Sequence, residues 1–375
     1  MKILLTGGGS GGHFYPIIAV AESINKIAKE EHLLDAKLFY MAPSPYNPRA
    51  LLENNIAFVP NPAGKLRRYF SLLNLVDMVK TGWGIMMAIV KVFSIFPDVI
   101  FSKGGYASFP ALVAGRLFRI PVVIHESDSE PGRVNAWAGK FATRIAISYS
   151  EAGAFFPIEK TAHTGNPIRK DIMNVTREGS KKFLGLEEQV PTIVILGGSQ
   201  GAATINEILI QSLPDLVGTV QIIHQTGKVH FVPVKETATL VLQGNQYASR
   251  YHPFEYMDAV TIKMVAGVAD LIISRAGSTI FEIALWGIPS IIIPIPEAIS
   301  HDQRKNAFAY ARTGAAVVIE EENLSPHVLV SEIKRLVEHA DILAKMKGAT
   351  TAFARKDASD TIAREIISIA LSHEK

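Results

Sequence analysis

The sequence predicts an α/β protein of two domains, each built on a parallel sheet with helices on both faces. Three observations carry this. The chain has 375 residues, 48% of them hydrophobic, more than one core usually organises and enough for two. Short apolar strand signals alternate with helical ones, the pattern of a parallel sheet buried on both faces. A strand–glycine loop–helix unit occurs twice, as TGGGSGGHFYPIIAVAESI from Thr6 and as LGGSQGAATINEILI from Leu196.

In chain order, Ile3-Leu4-Leu5 opens the first sheet. A helix follows from Pro16 to Lys29, with Ile17, Val20, Ala21, Ile24, Ile27 and Ala28 on one face. Pro16 is read in the first helical turn, where its missing N–H costs nothing. Strands are expected at 37–41, 98–102, 121–124 and 144–147. The pattern restarts with a strand from Thr192 to Leu196, a glycine loop at 197–201 and a helix from Ala202 to Leu213. Strands at 221–224, 270–273, 290–293 and 315–319 follow, then helices at 325–340 and 343–373. The boundary falls at Gly165-Asn166-Pro167. It gives domains 1–165 and 166–345, with a C-terminal helix, 346–375, expected to pack back on the first domain.

Composition excludes several classes. A net charge of +3 is too small to argue for nucleic acid. With no cysteine, a disulfide scaffold, a zinc–thiolate site and a thiol nucleophile are ruled out. The start, MKILLTGGG, lacks the apolar run and cleavage site of a signal peptide. The most membrane-like stretch, Leu72 to Phe96, is interrupted by Asp77, Lys80 and Lys91. Its longest uncharged run, Thr81 to Val90, falls short of the about 20 residues of a span, so no transmembrane segment is expected.

The loops carry the chemistry. Gly7-Gly8-Gly9-Ser10-Gly11-Gly12-His13 leads from a strand into a helix, where backbone N–H groups and the helix dipole suit a phosphate. Its spacing satisfies GxGxxG, yet the second strand, Lys37 to Met41, runs into Ala42-Pro43 and not into the carboxylate a dinucleotide ribose needs. His13 is a candidate for acid–base work or for holding the loop. Gly197-Gly198-Ser199-Gln200-Gly201 repeats the anion-site logic, with Ser199 beside the helix N-terminus. Glu282 opens a helix after Gly277. It suits a ribose diol, or simply complements the helix dipole. His125-Glu126-Ser127-Asp128, with Asn135 shortly after, supplies either a base or a local hydrogen-bonded turn. Lys65, Arg67 and Arg68 precede a segment bearing Leu72, Leu75, Val76, Val79, Trp83, Met86 and Met87. This patch suits an anionic membrane surface, or a buried helix with a solvated start.

In this order the motifs resemble the peptidoglycan N-acetylglucosaminyltransferases of glycosyltransferase family 28, the MurG family. The matching pieces are GGSGGHFYP at 8–16, SKGGYASFP at 102–110, HES at 125–127, GNPIR at 165–169, LGGSQGA at 196–202, SRAG at 274–277 with Glu282, and GIPSIIIPIP at 287–296 with Gln303 and Asn306. The resemblance implies the GT-B fold, two Rossmann-like domains whose parallel sheets face a central cleft. It implies inverting transfer of N-acetylglucosamine from UDP-GlcNAc to the C4 hydroxyl of lipid I (undecaprenyl-diphospho-MurNAc-pentapeptide), giving lipid II. The protein would be peripheral on the cytoplasmic face of the cell membrane, against anionic lipids and among cell-wall synthesis proteins, with no metal or other cofactor. By resemblance, Arg169, Ser199, Glu282 and Gln303 hold the donor, with Met257 by the uracil. Ser10, Gly11, Gly12 and His13 lie at the diphosphate, and Tyr106 and Asn135 on the acceptor side. His13 is the expected base, with Glu126 its rival. Two departures stand out. Asp128 replaces an amide common in the family, which removes an N–H donor on the donor side. The loop from Arg275 to Glu282 is one residue shorter. Rivals are another GT-B lipid glycosyltransferase, a UDP-GlcNAc 2-epimerase, a nicotinamide oxidoreductase and a non-catalytic sugar-nucleotide sensor.

Overall fold

The computed structural model describes residues 1–33, 36–65, 73–198, 201–297 and 301–372. These form two compact units, Met1–Arg169 with Arg355–Lys375, and Lys170–Ala354.

The first unit holds seven parallel strands: β1 (Lys2–Thr6), β2 (Lys37–Ala42), β3 (Ile56–Pro60), β4 (Val99–Ser102), β5 (Val122–Glu126), β6 (Arg144–Ile147) and β7 (Thr161–His163). Their order is β3-β2-β1-β4-β5-β6-β7. Alternate side chains leave opposite faces of a strand, and both faces are apolar here. Ile3, Leu5, Val99, Phe101 and Val123 meet Ile17, Ile24 and Ile27 of the helix Gly11–Glu30. Leu4, Ile100, Val122, Ile124 and Ile145 meet Ala111, Leu112 and Ala114 of the helix Phe109–Leu117. The register pairs Thr6 with Ser102 and Ser102 with Ile124. It therefore sets Gly7, Lys103 and His125 side by side at the strands' carboxyl ends.

The second unit holds β8 (Thr192–Leu196), β9 (Gln221–Gln225), β10 (Tyr251–Phe254), β11 (Leu271–Ser274), β12 (Ser290–Ile292) and β13 (Ala316–Val318). The strands are parallel, in the order β10-β9-β8-β11-β12-β13. Ile193 and Ile195 face one core, with Leu209, Leu213 and Ile333. Val194 and Leu196 face the other, with Val265, Ile283 and Trp286.

The structure corrects the sequence reading in three places. β3, β7 and β10 were not expected. All three are partly buried sheet edges; β7 and β10 contain polar residues that break an apolar run, whereas β3, IAFVP, is an apolar run that the sequence reading passed over. The first helix starts at Gly11, which places Pro16 inside it and removes the N–H that would bond the Gly12 carbonyl. The stretch 343–373 is two helices, Ala340–Phe353 and Ala358–Ser372, separated where Ala354 turns extended with φ −70 and ψ 132. The first stacks Phe353 on Phe281 at 5.2 Å, within the second unit. The second seats Ile362, Ala363, Ile366 and Ile367 on the core beside the helix Gly11–Glu30.

The helix Leu73–Ile95 has the length and composition of a membrane span, with a mean hydropathy of 1.4 over an 18-residue stretch within Asn74–Ile95. One face is nevertheless docked on the first unit. Gly84 and Ala88 are buried, and a Cβ on Gly84 would lie 1.9 Å from the Pro62 carbonyl oxygen. Asn61 Nδ2 donates to Gly84 O at 3.0 Å, and Gly64 N donates to Thr81 Oγ1 at 3.1 Å. The other face exposes Val76, Val79, Trp83, Met86, Val90 and Phe93, spaced alternately three and four residues apart as one helical stripe. The basic start of the expected patch, Arg67 and Arg68, lies outside the described residues.

Candidate active site

The loop after β1 is held open by close packing. Gly7, Gly8 and Gly9 have φ of 149, 151 and 96. A Cβ on Gly9 would come within 2.8 Å of the Tyr106 ring, so only glycine lets that ring lie against the loop. Tyr40 Oη donates to Gly7 O at 2.7 Å. Ser10 sits at the N-cap of the helix but makes no side-chain cap. Its Oγ instead lies 2.9 Å from His13 Nδ1. The serine side chain that would cap the helix N-terminus is thus diverted to the histidine; the His13 and Phe14 N–H groups donate to Ser10 O, and those of Gly11 and Gly12 suit an outside acceptor.

His13 is half-buried. Burial and the Lys103 ammonium push its pKa down to about 4, so the imidazole is neutral at pH 7. When Nδ1–H donates to Ser10 Oγ, Nε2 keeps a lone pair for a proton.

Glu126 ends β5 and is buried. Its carboxylate accepts from Asp128 N at 3.0 Å, Gly132 N at 3.1 Å and Asn135 Nδ2 at 3.0 Å. The segment forms a hydrogen-bonded turn around this carboxylate. Burial and the Asp128 carboxylate push the Glu126 pKa up to about 7, against the pull of Lys103 and the N–H donors. Asn135 is also buried and donates to His125 O at 3.0 Å. Its side chain braces the turn and packs on Gly104, where a Cβ would lie 2.7 Å from Nδ2. His125 is fully buried. Its Nε2 lies 3.0 Å from Gly165 O, and burial holds its pKa well below the ordinary value. Arg169 closes the first stretch of this unit, its guanidinium 4.2 Å from the centre of the Tyr15 ring.

In the second unit, Gly198 and Gly201 have φ of 76 and 79. A Cβ on Gly201 would lie 2.5 Å from Thr226 O. The helix Ala203–Leu216 begins behind Ala202, which makes no side-chain cap. Ser199 and Gln200 lie outside the described residues. Beneath this loop His224 is fully buried, its Nδ1 2.9 Å from Tyr251 Oη and its Nε2 3.0 Å from Asn206 Oδ1. Asn206 Nδ2 donates onward to Thr226 O at 3.0 Å. Met257 is buried in the core beside Ile223 and Trp286, and its N–H donates to Gln225 Oε1 at 3.1 Å. Glu282 lies half-buried in the first turn of the helix Thr279–Trp286. Gln303 Oε1 accepts from Ile295 N at 3.2 Å, which leaves its amide N–H groups to donate. Arg275 donates to Ile293 O at 3.2 Å and pairs with Glu321, fixing the loop that follows β12.

The structure packs Tyr106, expected on the acceptor side, against the loop that carries Ser10 and His13, expected at the diphosphate. The sequence reading quoted Lys103 within SKGGYASFP without giving it a role, and it missed the braces His224 and Gln225. A lysine directly after an apolar central strand was the available signal for Lys103.

Two Rossmann-like units with glycine loops at the carboxyl ends of parallel strands define a GT-B protein of the nucleotide-sugar glycosyltransferase class. Models of the glycosyltransferase family 28 N-terminal and C-terminal domains match residues 3–147 and 192–362. The chain belongs to glycosyltransferase family 28. It is 35% identical over 368 residues to a UDP-N-acetylglucosamine--N-acetylmuramyl-(pentapeptide) pyrophosphoryl-undecaprenol N-acetylglucosamine transferase 2 of Bacillus cereus (strain ATCC 10987), covering 97% of this chain and 99% of that protein. The crystal structure of Acinetobacter baumannii MurG matches in fold with a TM-score of 0.72 at 22% identity, covering 98% of this chain and 99% of that one. A UDP-GlcNAc 2-epimerase from Neisseria meningitidis bound to UDP-GlcNAc matches with a TM-score of 0.69 at 14% identity, over 98% of this chain and 100% of that one.

Proposed function

We propose that this chain transfers N-acetylglucosamine from UDP-GlcNAc to the C4 hydroxyl of the muramic acid in undecaprenyl-diphospho-MurNAc-pentapeptide, with inversion. The observation that carries this reading is the end-to-end match to the Bacillus cereus transferase. The two glycine loops give it a chemistry. In one displacement His13 Nε2 takes the acceptor hydroxyl proton while that oxygen forms a bond to the anomeric carbon. The bond from that carbon to the UDP β-phosphate oxygen breaks, and its electron pair leaves on UDP. The N–H groups and dipole of the helix Ala203–Leu216 stabilise the leaving charge. Arg169, Ser199, Met257, Glu282 and Gln303 are the donor-side residues of this proposal, with Ser10, Gly11 and Gly12 at the diphosphate. Tyr106 contacts the acceptor. Glu126, Asp128 and Asn135 support His13's surroundings and take no proton.

The protein acts as a peripheral protein at the cytoplasmic face of the membrane that holds its acceptor. The stripe from Val76 to Phe93 supports this, because an exposed aromatic-bearing apolar face suits insertion at headgroup depth. The test is UDP release from UDP-GlcNAc, with and without a short-chain acceptor analogue, with product mass recorded. Release that needs the analogue, with one N-acetylhexosamine added to it, is expected. A change of the sugar nucleotide without an acceptor would instead make the chain an epimerase.

A further inference from the structure

Lys103 follows β4 at the centre of the first sheet. Lys103 is 1% exposed, and its Nζ has no hydrogen-bond partner among the described residues. An ammonium taken out of water without an acceptor is costly, and a methionine of similar length would fill the same space at no such cost. A charge kept where it lowers stability asks for another reason. The strand register sets Lys103 between Gly7 and His125, and the missing side chain of Gly7 makes the room, since a Cβ there would lie 3.0 Å from Lys103 Cβ.

The groups around it are defined. His13 faces it from the first helix, His125 and Glu126 from β5, Asp128 from the next loop, and the Tyr40 phenol lies at Gly7 O. Burial pulls the Lys103 pKa down to about 8, while Glu126 and Asp128 pull it up. A cation disfavours protonation of a neighbouring imidazole and favours ionisation of a neighbouring carboxyl. Burial is the larger cause of the lowered His13 and His125, and the Lys103 charge adds to it; the same charge opposes the upward push of burial and Asp128 on Glu126.

We propose that Lys103 is a positioning residue for the transfer reaction, whose buried charge keeps His13 unprotonated and Glu126 ionised, so that the imidazole begins each cycle as a base. This rests on the transferase reading. Glu126 in its ionised form accepts three N–H groups and holds the turn that backs the loop. One buried ammonium thus serves both the readiness of the base and the shape of its support.

The experiment uses the full chain as wild type and as Lys103→Met, Lys103→Gln and Lys103→Arg. The first readout is the His13 titration midpoint by NMR of histidine-labelled protein, assigned with His13→Gln. Loss of the charge is expected to raise the midpoint by about one unit or more in the Met and Gln variants, and the Arg variant restores it. The second readout is the pH profile of kcat/KM. Wild type and the Arg variant are expected to share one acid limb, and in the Met and Gln variants that limb moves to higher pH, because only there does the charge decide whether His13 is unprotonated and Glu126 ionised. A midpoint shift of one unit corresponds to about tenfold in protonation ratio, so the neutral variants lose most at the acid end. An unchanged His13 midpoint in a folded Met or Gln variant, or a wild-type pH profile in either, overturns the proposal. Should neither neutral variant fold, the Arg variant decides, because a His13 midpoint or acid limb displaced upward although the charge is kept then refutes it. The NMR titration needs no acceptor, so failure here is distinguishable from failure of the transferase reading.

Discussion

The two glycine loops share a backbone plan and differ in what lies beneath them. Under the first lie groups that exchange protons or carry charge: His13, His125, Lys103 and Glu126. Under the second lies a network of His224, Asn206 and Tyr251, with His224 held neutral by burial. A site that moves a proton needs groups poised to change charge, whereas a site that only grips an anion works best with fixed dipoles. The difference supports the proposal that proton transfer belongs to the first unit and leaving-group stabilisation to the second.

The largest test of that division is His13→Ala. It is expected to lower kcat by about 10²- to 10⁴-fold, the usual worth of a general base, and to leave UDP affinity by calorimetry unchanged. Equal loss of affinity would make His13 a phosphate ligand instead. Next is Gly201→Val, which forces a β-branched residue to φ 79 with its Cβ 2.5 Å from Thr226 O. It should weaken UDP binding at least about tenfold and cost about 1–3 kcal/mol of stability, while the His13 titration stays in place.

A smaller effect comes from the neutral network. Burial lowers the His224 pKa from an ordinary 6.5 to about 3. The unfolded chain therefore binds a proton below pH 6.5 that the folded chain refuses. This stabilisation is complete above that pH and is lost as pH falls towards 3, by up to about 1.4 kcal/mol per unit. Urea unfolding at pH 5 and pH 7 should show a shallower acid loss in His224→Phe than in wild type, from a starting stability lower by about 1–3 kcal/mol. The smallest effect concerns neither loop. Trp83→Glu with Met86→Glu should weaken binding to anionic vesicles by co-sedimentation and leave turnover of a soluble acceptor analogue intact.

How far the sequence could be read followed from what each element must bury. Strands buried on both faces, such as Thr192–Leu196, announce themselves as apolar runs, while the edge strand Tyr251–Phe254 needs no such run and stayed hidden. Both glycine loops were legible because glycine is required where φ is positive. The break at Ala354 was not, since the polar gap Arg355 to Asp357 is shorter than one helical turn and leaves the apolar period intact. At the site, His13 and its loop could be named from sequence. The three donors on Glu126 come from residues 128, 132 and 135, and no periodicity encodes such a convergence. Lys103 hid for a related reason, because its meaning lies in neighbours brought by β1 and β5.

The helix Ala358–Ser372 has a consequence for how the molecule is made. Its side chains complete the core that also contains Ile3, Leu5, Ile17 and Ile24. Residues 170–354 form a unit of their own and are synthesised in the interval. On the ribosome the second unit therefore has its whole sequence available before the first does. The nascent first unit waits with the outer side of its opening helix uncovered, and translation order makes it the last to mature although it is the first to emerge.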